Sequence, residues 1–181
     1  NGQRHGYGDM EWSDGRKYVG RWVNGQRHGY GDIEWSDGTK YIGVFKEGYR
    51  EGFGIYEWSG CPNDANNKKY EGSWKRGDFH GYGKLEWYDG SKKESYWKDD
   101  QSHGLGSFED KDGVINEGQY KNDRRHGRFE ITAPNKEMEV VYYSDGIKVG
   151  EICKEIGFPE DSPKYKDCIV ELVAEALSFQ Y

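Results

Sequence analysis

A period of 23 residues constrains this chain more than any other feature. Tyr18, Tyr41 and Tyr70 head successive units, and Lys93, Asn116 and Glu139 continue the same column. The step is 23 residues except between Tyr41 and Tyr70, where it is 29 because Cys61-Pro62-Asn63-Asp64-Ala65-Asn66 is inserted into one turn. Turns tolerate such additions because loop closure becomes costlier only slowly with length. A fixed period of this size signals an array of one supersecondary unit that cannot bury a core alone and stacks on its neighbours. The opening Asn1-Gly2-Gln3-Arg4-His5-Gly6 recurs as Asn24-Gly25-Gln26-Arg27-His28-Gly29. The chain therefore starts in mid-repeat, and further repeats are expected upstream.

One unit reads Tyr18-Val19-Gly20-Arg21-Trp22, then Gln26-Arg27-His28-Gly29-Tyr30-Gly31-Asp32-Ile33-Glu34-Trp35, then Asp37-Gly38. Both halves alternate with period 2. Tyr18, Gly20 and Trp22 share one face of a first strand, Gly31, Ile33 and Trp35 share one face of a second, and Gly-rich turns separate them. Each repeat is thus a β-hairpin. The predicted fold is all-β: consecutive antiparallel hairpins in one elongated, twisted, single-layer sheet over residues 1–150. Strands spaced ~4.8 Å apart advance the array by about 10 Å per repeat.

Apolar residues make up only 33% of the 181, and aromatics, at 16%, are about half of them. Aliphatic material is too scarce for a deep core, so the rings must form it. All seven tryptophans fall in two columns, Trp22, Trp74 and Trp97 on first strands and Trp12, Trp35, Trp58 and Trp87 on second strands. The alternating glycines leave room for a bulky ring from a neighbouring strand to lie over the backbone, so aromatic-over-glycine packing is the expected core. Glu11, Glu34, Glu57, Glu86 and Glu109 on the other face, with Lys46, Lys75, Lys98 and Lys121, read as a solvated ladder.

The recurring Tyr-x-Gly-x-Trp, His-Gly-x-Gly and Asp-Gly segments resemble the MORN (membrane occupation and recognition nexus) repeat from residue 2 to about 150, in about six units. The resemblance implies a docking or assembly module, with any catalysis in a separate domain, as in ciliary radial spoke head proteins, junctophilins and plant phosphoinositide kinases. The pattern decays late in the chain. Ser95 and Val141 replace strand glycines, Phe129 replaces the second Gly of His-Gly-x-Gly, and Asp110 replaces Trp. The last units are expected to have diverged into an end cap.

Composition changes from Gly157. Ser162 is a good N-cap and Pro163 suits a first helical turn. Tyr165, Ile169, Leu172, Val173, Ala176 and Leu177 then recur at helical spacing, so residues 151–181 should form a linker followed by an amphipathic helix that covers the end of the array. Cys61, Cys153 and Cys168 are odd in number and match no metal spacing, which predicts no disulfide framework and a reducing compartment. No apolar run approaches the ~18 residues a membrane span needs.

The five histidines His5, His28, His80, His103 and His126 share one column. Ligands about 10 Å apart cannot meet one ion, whose bonds are ~2 Å, so turn histidines bonded to nearby backbone are expected. The evenly spaced glutamates have no means of splitting their pKa values for acid–base work. Asp110-x-Asp112-Gly113 lacks the later ligands of a calcium loop, and no P-loop, dinucleotide fingerprint or nucleophile elbow occurs. Neither metal nor cofactor is expected.

A net charge of −7 opposes binding to nucleic acid or anionic lipid. The reading that remains is a non-catalytic scaffold that docks a protein partner, with a helical segment suited to the groove. The expected anchors are Trp22, Trp35, Phe45, Trp58, Tyr70, Trp74, Trp87 and Trp97. A cytoplasmic setting in a cytoskeletal or ciliary assembly is expected. Homo-oligomers through strand edges, a phosphoinositide or membrane-surface tether using Arg4, Arg27, Arg50, Arg76, Arg124 and Arg125, and the targeting arm of a larger enzyme are the alternatives.

Overall fold

The computed structural model describes residues 2–60 and 67–178; the six inserted residues expected to lengthen one turn lie outside them. Thirteen strands follow one another in chain order in an open antiparallel sheet, as consecutive hairpins require. The chain divides into two compact units, Asn1–Asp100 and Gln101–Tyr181.

The first unit holds β1 (Gly6–Glu11), β2 (Lys17–Val23), β3 (Gln26–Glu34), β4 (Lys40–Lys46), β5 (Tyr49–Glu57), β6 (Asn67–Lys75), β7 (Asp78–Trp87) and β8 (Lys92–Lys98). Two kinds of turn alternate. Asn24-Gly25, Glu47-Gly48 and Arg76-Gly77 close two-residue turns, each with both central residues at positive φ, the geometry whose twist matches a hairpin. Longer turns carry the Asp-Gly segment. Asp37 Oδ1 accepts from Thr39 N at 2.9 Å, and Asp89 Oδ1 accepts from Ser91 N at 2.9 Å, while Gly38 and Gly90 sit at positive φ. The carboxylate satisfies a turn N–H that the next strand would otherwise orphan. The glycine of His-Gly, which follows Glu51 in one unit, also has a distinct role: Gly29, Gly52 and Gly81 have φ of 67°, 63° and 67° beside register shifts at Gly20/Trp22, Gly43/Phe45 and Gly72/Trp74. They are β-bulges.

Glycine faces glycine across each hairpin, Gly20 against Gly31, Gly43 against Gly54 and Gly72 against Gly83. The ring that fills each space is that of a tyrosine, which gives the expected packing of an aromatic over glycine. The Tyr18 ring folds forward along its own strand and onto the next, so a Cβ on Gly20 would lie 2.6 Å from its Cζ and one on Gly31 2.7 Å from its Cε2. Tyr18, Tyr41 and Tyr70 are each 0% exposed, and their hydroxyls donate to the carbonyls of Arg21, Val44 and Ser73. The tryptophans stand alongside. Trp74 Nε1 donates to Gly54 O at 3.1 Å and Trp97 Nε1 to Gly83 O at 3.0 Å, so each indole satisfies its one donor while its ring packs edge-on against Tyr70.

The second unit holds β9 (Gln101–Glu109), β10 (Ile115–Lys121), β11 (Arg124–Thr132), β12 (Glu139–Ser144), β13 (Ile147–Lys148), α1 (Val149–Glu155) and α2 (Pro163–Leu177). Asn116 occupies the tyrosine column here, and the space over Gly118 is filled instead by Phe129, whose ring a Cβ on Gly118 would meet at 2.6 Å. Tyr120, Phe129 and Tyr143 form a separate small core. Where Asp110 replaces tryptophan, its Oδ1 accepts from Asp112 N and Val114 N, both at 2.9 Å, so turn stabilisation has taken the place of a ring.

The C-terminal helix begins as expected, with Ser162 Oγ accepting from Tyr165 N at 3.1 Å and Pro163 in the first turn. It packs against α1, β11 and β12. Tyr165, Ile169, Leu172, Val173 and Ala176 are at least half-buried, whereas Leu177 is exposed. Two expectations fail in this region. The segment read as a linker contains α1, because Val149 and Cys153 have a place to bury. Cys153 and Cys168 form a disulfide, which corrects the expectation of none and removes the cysteine argument for a reducing compartment.

Candidate protein-binding surface

Of the eight aromatics expected to anchor a partner, five are core. Trp22, Phe45, Tyr70, Trp74 and Trp97 are all under 9% exposed, because each packs against neighbouring rings. Tyr70, for example, stacks on Phe79 with centroids 3.7 Å apart and meets Trp74 edge-on at 5.1 Å. A ring fully covered by its own chain offers a partner nothing to desolvate. Trp35, Trp58 and Trp87 are half-buried, as is Trp12. They stand at the ends of second strands, where the longer turns start, and pack against the core without being closed over by it. Trp35 lies 5.5 Å from Tyr56, and Tyr56 lies 4.6 Å from Trp58. Together with Met10 and Tyr56, this column is partly open to solvent.

The arginines expected to form a basic edge divide in two. Arg76 and Arg124 are exposed, but Arg27 and Arg50 are drawn into the aromatic face. Arg50 Cζ lies 4.2 Å from the Trp74 centroid and 4.9 Å from that of Tyr56, while a guanidinium N–H donates to Gly77 O at 2.6 Å. Arg27 lies 4.9 Å from Phe45 and donates to Gly48 O at 2.9 Å. Burial lowers the pKa of both guanidinium groups, which nonetheless stay charged at any working pH. Their positive charge is spent on ring faces and turn carbonyls. Burial also raises Tyr18 from 10.0 to about 12, against the opposing pull of Arg27, so the core phenols stay neutral.

The histidines of the shared column have different neighbours. His103 Nδ1 is 3.3 Å from Asn122 Oδ1, His126 Nδ1 accepts from Asp145 N at 3.4 Å, and His80 Nδ1 lies 3.8 Å from Asp99. His126 has the backbone bond expected of the column. Among the described residues no group of three or more His, Cys, Asp or Glu could hold a metal ion, and no helix is long and apolar enough to cross a membrane.

The opposite face carries more than the expected charged ladder. Lys17 pairs with Glu11 and Lys40 with Glu34, but Tyr7, Tyr30, Phe53 and Tyr82 stand beside them, 78%, 67%, 57% and 53% exposed. They occupy the x of Gly-x-Gly. Their outward direction is legible in the sequence, since strict alternation points a residue between two core glycines outwards.

A family model described as MORN repeat matches residues 1–15, 18–40, 41–60, 70–92, 94–115 and 117–128, more than half of the chain. The chain belongs to the MORN repeat family. No curated protein matches it. Among solved structures, this MORN repeat chain is similar to the TCP domain of Drosophila melanogaster SAS-4 (dCPAP), determined in complex with a proline-rich motif of Ana2 (dSTIL). That match has 13% identity and a TM-score of 0.29, and it covers 76% of this chain and 90% of that one.

Proposed function

We propose that this MORN repeat array is a non-catalytic scaffold that docks a segment of a partner protein along its aromatic face. The observation that supports it is the half-buried column Trp12, Trp35, Trp58 and Trp87, set on a core otherwise closed by its own rings. Indoles held from behind are rigid, cost little entropy to immobilise and have one side left to cover. A helical segment suits them, because its apolar stripe could meet successive indoles. An assembly of cytoskeletal or ciliary type in the cytoplasm is proposed on family resemblance alone. No observation favours a lipid surface, since the guanidinium groups of Arg27 and Arg50 are engaged within the fold.

Substitution of Trp35 and Trp58 by Ala tests this reading through proximity labelling with the otherwise intact protein. The expected outcome is loss of a defined set of labelled proteins with near-UV circular dichroism still that of folded protein. An unchanged labelled set would place the docking surface elsewhere.

A further inference from the structure

The outward face of the first unit has its own order, independent of the aromatic face. Tyr7, Tyr30, Phe53 and Tyr82 lie on β1, β3, β5 and β7, in register through Tyr7↔Arg21, Tyr30↔Val44, Phe53↔Ser73 and Tyr82↔Tyr96. Val44 and Ser73 separate the rings with shorter side chains, so ledges alternate with slots. Successive rings are two strands apart, about 9.6 Å. A polyproline II helix turns once in three residues and rises about 9.3 Å in doing so. Every third residue of such a ligand would therefore meet an equivalent ring, with a mismatch of only about 1 Å accumulated from Tyr7 to Tyr82. An α-helix comes nearest at two turns, about 10.8 Å, and would accumulate about 3.6 Å of mismatch over the same span.

Charge identifies the ligand further. One step along each strand from the rings runs a second row: Asp9 on β1, Val19 on β2, Asp32 on β3 and Ile42 on β4. The glutamates in the row beyond are neutralised by Lys17 and Lys40, but Asp9 and Asp32 have no ion pair within 4 Å among the described residues. Asp32 is flanked by Val19 and Ile42, and burial raises its pKa. It is a carboxylate that a cation would stabilise. Arg21, the one cation in these two rows on β1 to β5, lays its stem over Gly29, 3.7 Å from where a Cβ there would sit.

We propose that this face docks a proline-rich, basic segment of another protein in the polyproline II conformation. Its prolines wedge against Tyr7, Tyr30 and Phe53, and arginines or lysines three residues apart face Asp9 and Asp32. A polyproline II helix has three faces, which here meet the ring row, the carboxylate row and solvent. Its carbonyls are free of internal hydrogen bonds, and the hydroxyls of Tyr7 and Tyr30 have no protein partner among the described residues. Ordering costs little because the ligand is already extended.

The test uses a labelled peptide of repeated Pro-Pro-Arg units and a second of the same composition with its arginines grouped in adjacent pairs, titrated against the whole chain. The repeated peptide should bind about fivefold more tightly than the grouped one. Replacing Tyr30 and Phe53 together by Ala should weaken it about tenfold, and Asp32→Asn about threefold. These side chains are exposed, so the variants should keep the near-UV circular dichroism of the parent. Failure of the repeated peptide to bind would overturn the proposal. So would equal binding of the two peptides, or full binding to the Tyr30/Phe53 variant, either of which would reduce the interaction to charge. A lower sedimentation coefficient of the unliganded Tyr30/Phe53 variant, with peptide binding intact, would assign the face to a second copy of the chain and overturn it equally.

Discussion

The first unit and the second solve one packing problem with the ring on opposite sides of it. A glycine pair across a hairpin leaves a space that one aromatic must occupy. In the first unit the occupant is Tyr18, Tyr41 or Tyr70, two residues before a glycine on the same strand, and both glycines are required. In the second unit Asn116 stands where that tyrosine would be, and Phe129, replacing one glycine of the pair, supplies the ring over the other, Gly118. The two arrangements exclude each other, since tyrosine and phenylalanine together would overfill the space. The late repeats are therefore a rearranged version of the early ones and not merely a decayed one. Their smaller three-ring core is supplemented by α1 and α2, joined through Cys153 and Cys168.

The comparison breaks most visibly at glycine. Gly54→Ala would set a methyl group 2.5 Å from Tyr41 Cε2, and overpacking against a ring that cannot move should cost about 3 kcal/mol in chemical denaturation. Gly8→Ala meets nothing within 4 Å and should cost under about 1 kcal/mol. Comparable losses at the two positions would show that conformational freedom, and not the tyrosine, sets the requirement. A somewhat smaller effect should be confined to the second unit. Cys168→Ser opens a crosslink with a sequence separation of 15 and should remove about 2–3 kcal/mol, read as earlier hydrogen exchange in α1 and α2 with β1 to β7 unchanged. Smallest is Arg50→Lys, which keeps the charge but loses the planar stack on Trp74 and the fork that reaches Gly77 O. It should cost about 1–2 kcal/mol by denaturation, and a neutral result would reduce that contact to a coincidence of packing.

Hairpins, their order and the family were legible because period-2 alternation and the 23-residue step are properties of the backbone, written identically in each repeat. The identity of the ring over glycine was not. Alternation places Tyr18, Gly20 and Trp22 on one face without saying which ring leans towards the glycine, and that choice lies in the side-chain direction together with the Gly20↔Gly31 register. Burial misled in the same way. Trp74 and Trp35 both read as groove-lining tryptophans, yet one sits between Tyr70 and Arg50 while the other ends a strand beside a turn. The Cys153–Cys168 pair could not be read from spacing, since it depends on α2 packing against α1.

In these two-residue turns, the N–H of the second residue donates to a backbone carbonyl of the preceding repeat: Gly25 N to Arg4 O at 2.9 Å, Gly48 N to Arg27 O at 3.0 Å and, in the second unit, Gly146 N to Arg125 O at 2.8 Å. Each hook reaches back 21 residues, less than one repeat. A 23-residue stretch repeated within the early units therefore carries both the hairpin and its fastening to the one before.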